Sequence, residues 1–383
     1  MAKVLLGDVV DHIKDKVDKD TTDLEFYVGG EHIDGDEITV RRRGRIEGST
    51  IGPAFHMRFQ QGDVLLMSRN PHLRKASMVD FDGICSDVSY VCRTKDNNVL
   101  LQSLLPFILQ TPEFWQFAEE NKKGGLPFFL NWKDFARFEF KLLPIERQQQ
   151  ISDLLWAMER VKNAYRELIA RTDDLVKSQF IEMFGLPEEN KHGYEIARIG
   201  DVVCDVHYGT SKKGSDDGEY IYLRMNNITY GGELDLTDIK RISIPEKELA
   251  GCMVKKGDVL FNRTNSRDLV GKTCAFNLNE PMIIAGYIIR LRMNGRVLPE
   301  YLSKFLNLES SKKMLMAMAK GAVGQANINA QEVQSIQIVI PPMEAQMSFQ
   351  QLVEQSDKSK FAAQQTLKEL TDAQRALMKK IFE

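Results

Sequence analysis

The sequence lacks the apolar segments and the cysteine pattern of membrane and secreted proteins. No apolar run approaches the ~20 residues that a membrane-spanning helix needs, and the first residues, MAKVLLGDVVDHIKDK, include acidic side chains that a secretory signal avoids. The five cysteines are an odd number and form no CxxC motif, which argues against a disulfide framework or a thiolate zinc site. These absences predict a cytoplasmic protein without membrane association.

Recognisable catalytic motifs are also missing. None of the six histidines pairs with another at metal-ligand spacing, and no GxSxG, glycine-rich βαβ loop or Asn-Pro-Pro-Tyr motif occurs. The GKT at residues 271–273 is not a phosphate-binding loop, because Ser266 stands where that loop needs a glycine. Asp134, Glu139 and Lys141 resemble a nuclease spacing, but the last two lie in an alternating strand pattern. We predict that the chain is not an enzyme and itself binds no cofactor or metal.

An excess of positive charge is absent as well. The 383 residues include 51 Lys and Arg against 54 Asp and Glu, a net charge of −3, whereas small electrostatic nucleic-acid binders are usually far more basic. Any nucleic-acid binding must therefore depend on local clusters. The length and the 43% hydrophobic content are typical of a globular protein with about two domains.

What the sequence does contain is an internal repeat over most of its length. Matched segments occur in the same order in both halves: LLGDVV and RIGDVV, GDVLLM and GDVLF, FEFKLLP and IQIVIPP, and PIERQQQ and PPMEAQM. One such pair could arise by chance, but an ordered series indicates a duplication. Each half is predicted to run from a β-rich segment through a short helix and a strand into one long helix.

The two long helices are predicted to pair with each other. In the first, apolar residues occupy the a and d positions of four heptads; the second has a poorer pattern. The predicted pairing residues are Ile151, Leu154, Met158, Val161, Tyr165, Leu168, Leu175, Phe349, Leu352, Leu367, Leu370 and Leu377. The alternative is that each helix docks separately on its own domain.

Polar loops rich in Arg, Lys and Asn supply the candidate DNA contacts, several at matched places in the two halves. Arg and Asn side chains can bond base edges in bidentate fashion as well as phosphates, although solvated loops explain the same composition. The candidates in the first half are Arg41, Arg42, Arg43, Arg69, Asn70, Arg74 and Lys75. The candidates in the second half are Tyr208, Thr210, Ser211, Lys212, Lys213, Arg224, Asn226, Asn227, Arg263, Thr264, Asn265, Lys272, Gln325 and Asn327. The predicted base contacts are Arg69, Asn70, Arg263 and Asn265.

The repeat, GDVLFNRT, GAVGQANINAQEVQSIQIVIPP and the helix ends LVKSQFIEMFG and ALMKKIF together resemble the specificity subunit of Type I restriction–modification enzymes. In the first half, GGLPFFLN replaces the usual glycine–glutamine–asparagine loop. The resemblance implies a mixed α/β (α+β) fold with pseudo-two-fold symmetry. Its target recognition domains would be residues 1–143 and 186–342, and its long spacer helices, 144–185 and 343–383, would form an antiparallel coiled coil.

The resemblance also implies a function. Each domain would read one half of a bipartite, asymmetric site on double-stranded DNA. The helices would recruit two methyltransferase subunits that use S-adenosylmethionine to methylate adenine at N6, and restriction subunits would add cleavage. Two alternatives are an enzyme with an unrecognised site and a duplicated protein-interaction clamp with incidental DNA binding.

Overall fold

The computed structural model describes residues 3–320 and 326–382. The chain divides into two compact units, the first formed by Met1–Glu167 with Ala363–Glu383 and the second by Leu168–Ala362. Two 40-residue helices, α5 (Ile145–Phe184) and α10 (Met343–Phe382), each contribute residues to both units. The boundary between the two units therefore falls inside each long helix. The sequence analysis instead treated each long helix as one segment, separate from the domains.

The first unit is built from short strands and helices in a mixed α/β arrangement. Its strands are β1 (Lys3–Leu5), β2 (Val10–Ile13), β3 (Phe26–Val28), β4 (Gly44–Arg45), β5 (Phe55–Phe59), β6 (Val64–Met67), β7 (Ala76–Met78), β8 (Gly83–Ser86), β9 (Ser89–Thr94) and β10 (Glu139–Lys141). Its short helices are α1 (Leu6–Val9), α2 (Leu105–Ile108), α3 (Pro112–Glu120) and α4 (Trp132–Phe135).

The second unit contains the same kinds of element. Its strands are β11 (Glu195–Arg198), β12 (Val203–Tyr208), β13 (Tyr220–Leu223), β14 (Lys240–Ile242), β15 (Met253–Val254), β16 (Asp258–Asn262), β17 (Thr264–Asn265), β18 (Thr273–Phe276), β19 (Met282–Ile284), β20 (Ile288–Met293), β21 (Ala326–Asn327) and β22 (Gln337–Ile340). Its short helices are α6 (Glu246–Cys252), α7 (Pro299–Leu306), α8 (Glu309–Met318) and α9 (Ala330–Ser335).

The sheets of the two units match strand by strand. The first unit has two four-stranded sheets, in the orders β2-β9-β6-β7 and β4-β3-β8-β5, and the pair β1-β10. The second unit has the matching sheets β12-β20-β16-β18 and β14-β13-β19-β15, the matching pair β11-β22 and, in addition, the pair β17-β21. The same neighbours run parallel, β3 with β8 and β13 with β19. The repeat predicted from motifs is therefore present in the topology.

The Gly-Asp turn before β6 and β16 shows why one of these motifs is repeated. The glycine has a φ of +90° in the first unit and +93° in the second, a region that favours glycine. The following aspartate is buried and caps the turn by accepting a backbone N–H bond. It also forms a bidentate ion pair at 2.7 and 2.8 Å, Asp63 with Arg93 on β9 and Asp258 with Arg292 on β20.

The long helices do pair, and they share the core of each unit. In the first unit Ile151 and Leu155 of α5 join Met378 and Phe382 of α10 in one buried cluster. In the second unit Phe184 of α5 packs against Phe349 of α10, with ring centroids 5.3 Å apart, while Asp173 of α5 bonds Lys360 of α10 at 2.8 Å. Numbers rise along one helix as they fall along the other, so the helices are antiparallel.

The predicted seam on α5 is wrong in detail. Ile151 is buried, and Met158 and Tyr165 are half-buried. The remaining predicted residues are exposed: Leu154 by 49%, Val161 by 44%, Leu168 by 49% and Leu175 by 52%. The buried stripe is instead Ile151, Leu155, Glu159, Lys162, Val176, Phe180 and Phe184. The cores of the two units and a set of ionic contacts determine which face of α5 is buried, and that face lies beside the apolar heptad stripe.

On α10 the predicted pairing residues lie closer to the buried face. Phe349 is fully buried, and four others are half-buried: Leu352, Leu367, Leu370 and Leu377. The fully buried positions include Val353, Lys360, Gln374 and Met378. Polar side chains thus occupy part of the stripe that the sequence pattern assigned to leucines.

Within the described residues, no helix combines the length and the apolar character that crossing a membrane would require.

Candidate nucleic-acid interface

A cleft of about 800 Å³ in the second unit brings together seven of the predicted DNA contacts. It is formed by the loop after β12, the turn after β13, the end of β16 and the turn between β19 and β20. The predicted residues that line it are Thr210, Ser211, Lys212, Lys213, Arg224, Asn226 and Arg263. These loops are separated by tens of residues in sequence, so only the sheet topology places them around one concave surface.

Arg263 is the best-supported side chain of this cleft. Its backbone N–H donates to the Tyr287 carbonyl and its carbonyl accepts from the Ile328 N–H, both at 2.9 Å. Its guanidinium lies 4.9 Å from the ring centroid of Tyr208, whose hydroxyl accepts the Ala330 N–H at 2.9 Å. Among the described residues no hydrogen-bond partner is found for its Nε. The arginine is therefore held by its backbone and by the ring of Tyr208, and its side chain forms part of the cleft lining.

Carboxylates balance three other cations of the cleft, Lys212, Lys240 and Arg224. Lys212 pairs with Glu248 at 2.8 Å, and Lys240 pairs with Asp216 at 2.6 Å. Asp238 accepts from both Arg224 and Asn226 at 3.0 Å. A polyanion that entered the cleft would exchange these exposed ion pairs for phosphate contacts, at small cost because surface pairs contribute about 0–1 kcal/mol each.

Three of the predicted DNA contacts in the second unit have buried side chains that form hydrogen bonds within the unit. Asn227 accepts the Arg224 N–H and donates to two backbone carbonyls, so it shapes the turn after β13. Thr264 donates its hydroxyl to Asn327 across the β17–β21 pair. Lys272 donates to the Met225 carbonyl at 2.7 Å, and burial lowers its pKa.

The other candidates in this region have local roles. Asn327 is half-buried and bonded to Thr264. The amide oxygen of Asn265 accepts the N–H of Ser266 at 2.9 Å, and Asn265 does not line the cleft. Gln325 lies outside the described residues.

In the first unit the basic run after β3 is held by its own neighbours. Arg41 donates to Glu37 and Asn163 at 2.8 and 2.9 Å. Arg42 pairs with Asp34, and the guanidinium of Arg43 lies 3.9 Å from the ring centroid of Phe26. Arg41 and Arg43 line a shallow depression of about 580 Å³ that also includes Arg166, Asp80 and Phe81.

The remaining first-unit candidates lie on the loop between β6 and β7, outside that depression. Asn70 and Arg74 flank a short 3₁₀ turn with φ of +53° and +50°. The amide oxygen of Asn70 is buried without a hydrogen-bond partner among the described residues. Arg74 lies 3.5 Å from Asp36, Lys75 donates to the Gly30 carbonyl, and Arg69 is exposed. The structure therefore does not gather the first-unit candidates around one cleft.

The sequence analysis missed seven residues of the cleft lining: Gly214, Ala285, Gly286 and four with larger side chains. Tyr222, Met225, Lys240 and Tyr287 also line the cleft. The Tyr222 hydroxyl donates to the carbonyls of Thr210 and Lys212, and so braces the loop after β12. Tyr287 is 48% exposed beside Gly286, and an aromatic residue next to a turn glycine was the signal that could have identified it.

The nuclease-like spacing has a structural role in the first unit. Asp134 caps α4 and accepts from Lys123 at 2.8 Å and from Arg137 at 3.0 Å. Glu139 lies on β10 and pairs with Lys3. Among the described residues, no group of three or more His, Cys, Asp or Glu side chains is placed to hold a metal ion.

Comparison with known proteins adds to this geometry. Residues 191–371, which contain the whole cleft, match the family described as the Type I restriction modification DNA specificity domain. Over this segment, somewhat less than half of the chain, the sequence is similar to that family, and the resemblance seen in its motifs is confirmed.

Two relatives carry the same designation. The MjaX specificity subunit of a Methanocaldococcus jannaschii type I restriction enzyme is 25% identical over 205 residues, 52% of this chain and 47% of that protein. The EcoKI specificity subunit of Escherichia coli is 27% identical over 158 residues, 40% of this chain and 34% of that protein. The aligned segments thus span less than half the length of either relative.

A solved structure supports the fold along the whole chain. The Type I restriction-modification system S subunit from M. genitalium covers 100% of this chain and 96% of its own, with a TM-score of 0.55 and 14% identity. The mixed α/β fold is therefore confirmed.

Proposed function

We propose that this chain is the DNA-sequence specificity subunit of a Type I restriction–modification complex. The observation that carries the proposal is the second-unit cleft, where Arg263, Arg224 and Lys212 surround a concave surface within the segment that matches the specificity domain. Arginine forks suit guanine edges and phosphates, and lysines suit phosphates. The chain itself would be non-catalytic and would bind no cofactor.

Each unit would read one half of a bipartite DNA site. The backbone topology is repeated, but the loops carry different side chains, with Ser68 in the first unit at the place of Arg263 in the second. Unlike reading surfaces favour an asymmetric site, because identical surfaces would read two identical half-sites.

The partners of this subunit would bind the exposed apolar stripe of α5. Leu154, Val161, Leu168 and Leu175 recur at every seventh position and are each about half exposed. A helix that packs along such a stripe would form a coiled-coil contact, and contiguous apolar surface of this kind favours association. We assign the stripe to a methyltransferase subunit that binds S-adenosylmethionine and methylates adenine at N6.

A second methyltransferase subunit would bind α10, where Met347 and Phe361 are exposed by 53% and 61%. Restriction subunits would join the complex for cleavage. The alternative, a protein-interaction clamp, would use the same stripe but would bind DNA without sequence preference.

The first test is the pattern of N6-methyladenine in the source genome when this gene is replaced by the Arg263→Ala variant. We expect one half of a split motif to relax or disappear, with a loss of about 1–3 kcal/mol of discrimination at that half. The matched control is Arg267→Ala, because Arg267 is exposed on the same loop but does not line the cleft. An unchanged methylation motif in Arg263→Ala cells would contradict the assignment.

A second test concerns the partner surface. Leu168→Asp introduces a charge into the apolar stripe and should abolish co-purification of the methyltransferase subunit. Ala170→Asp introduces the same charge at another exposed position of α5 and should leave association intact. If both variants retain the partner equally, the methyltransferase subunit binds a surface other than this stripe.

A further inference from the structure

The two long helices bury a lysine at the same point of the repeat. Lys162 of α5 and Lys360 of α10 lie equally far beyond the proline that precedes each helix, Pro144 and Pro342. Their side chains are only 3% and 6% exposed. Each pairs with a carboxylate three residues earlier, at 2.8 Å to Glu159 and at 3.3 Å to Asp357.

In the second unit, Lys360 connects three elements. It donates to Asp173 of α5 at 2.8 Å and to Glu233, which lies on the loop between β13 and β14. Burial alone would lower the pKa of this ammonium group, but the hydrogen bonds to Asp173 and Glu233 outweigh it and raise the pKa. Lys360 is therefore a charged residue at the meeting point of both long helices and a loop of the β-rich domain.

That loop leads directly to the cleft. The Thr229 N–H donates to the Glu233 carbonyl at 2.9 Å, which closes the loop behind Glu233. Five residues later Asp238 holds the side chains of Arg224 and Asn226, both of which line the cleft. A displacement of Glu233 would therefore carry the cleft-lining side chains with it.

The first unit ties the matched loop to α5 with different side chains. Glu37, between β3 and β4, accepts from Arg166 of α5 at 2.8 Å. Arg41, four residues along the same loop, bonds Glu37 and lies 3.5 Å from Glu159. In both units a loop carboxylate thus meets a cation of a long helix, and the loop carries predicted DNA contacts.

Hydrophobic side chains at these positions would hold the helices together without the desolvation free energy that buried charges require. Charged pairs in a helix interface contribute little net stability because of desolvation, whereas they restrict geometry. We infer that these ionic clusters set the position of the DNA-reading loops on the long helices, with Lys360 the positioning residue of the second unit and Arg166 that of the first. The inference rests on the proposed function, and it assigns part of sequence recognition to side chains that position the reading loops.

The test uses the full chain in complex with its methyltransferase subunits and duplexes that carry the methylated motif, with either half-site scrambled in turn. Lys360→Met should leave the complex folded but should reduce preference for the second unit's half-site about tenfold. Arg166→Met should have the corresponding effect on the first unit's half-site alone. The control is Lys358→Met, an exposed position on the same helix, which should change neither preference.

A second variant separates positioning from general stability. Glu233→Gln, on the loop side of the contact, should give the same selective loss, and combining it with Lys360→Met should add little because both remove one interaction. Amide exchange in residues 225–238 should accelerate in both single variants. Retention of both half-site preferences by Lys360→Met and Glu233→Gln, or an equal loss at both half-sites, would overturn the inference. Absence of sequence preference in the unaltered complex would instead refute the proposed function.

Discussion

The second unit gathers cations and aromatic rings from four loops around one cleft, whereas the first unit holds its basic residues in separate places by local pairs. The backbone beneath is the same in both. The Leu130 N–H donates to the Ser68 carbonyl, just as the Ile328 N–H donates to the Arg263 carbonyl. The repeated hydrogen bonds place the two backbones alike, but Ser68 is buried and donates its hydroxyl to the Val88 carbonyl, whereas Arg263 lines the cleft.

The helix that covers each sheet shows the same relation between backbone and side chain. Helix α3 buries Phe114, Trp115 and Ala118, and helix α8 buries Ser311, Lys312 and Leu315 at the same spacing. The Trp115 indole donates to Gln110, which in turn bonds the Ala76 carbonyl, while Lys312 bonds the Gly271 carbonyl directly. The two units thus bury a side chain at the same helix position, but that side chain is an indole in the first unit and an ammonium group in the second.

The largest effect should come from the turn that both units share. Asp63→Asn and Asp258→Asn each remove the charge opposite a bidentate arginine, and each should destabilise its own unit by about 2–4 kcal/mol. Native-state hydrogen exchange in β6 and β9, or in β16 and β20, measures that loss. The exposed Asp268 supplies a control, since Asp268→Asn should change stability by less than about 0.5 kcal/mol. Destabilisation in only one unit would show that the repeated motif has diverged in role.

A smaller effect is expected at the start of each long helix. Gln148 and Gln346 are fully buried, and each bonds one backbone N–H and two backbone carbonyls. Replacement by alanine leaves these groups without partners, so we expect a loss of about 1–3 kcal/mol in each variant. Chemical unfolding of Gln148→Ala and Gln346→Ala measures it. If the two variants lose different amounts of unfolding free energy, beyond experimental error, the two glutamines do not contribute equally to the starts of their helices.

The smallest expected effect is a pH dependence of stability that arises from a buried lysine of the second unit. Burial lowers the pKa of Lys312 to about 8, below the value of about 10.4 for a lysine in the unfolded chain. The unfolded state therefore binds more protons between these values, and stability should rise as pH increases from 8 to 10. Lys312→Met should reduce that rise and stabilise the protein at pH 7 by about 1 kcal/mol, net of the lost bond to Gly271. Thermal unfolding at pH 7 and pH 10 measures both effects, and an unchanged pH dependence would contradict this account.

Local patterns were sufficient to predict the repeat, the long helices and the polar character of the loops. The proline-ended alternation FEFKLLP and IQIVIPP corresponds to β10 and β22, and each is followed by a long helix. These features depend on short-range periodicity and on turn residues, which a single sequence contains. The half-sites read and the target recognition domain boundaries stay predictions.

Which residues face the ligand could not be obtained in that way. Lys272 and Asn227 have the composition of DNA contacts, but their polar groups complete backbone hydrogen bonds inside the second unit. Tyr287 and Lys240 reach the cleft from turns and strands whose neighbours in space are distant in sequence. The direction of a loop side chain depends on these long-range partners.

The heptads of α5 show most clearly which features follow from local sequence and which follow from long-range contacts. Helix periodicity is a local property, so the sequence alone is enough to predict that α5 is a long helix with a continuous apolar stripe. Long-range packing leaves that stripe exposed and buries Glu159, Lys162 and, on α10, Lys360. The reason is that a buried face is chosen by all of its contacts together: aromatic cores within each unit and ion pairs to the β-rich loops outweigh a match of leucines along one helix.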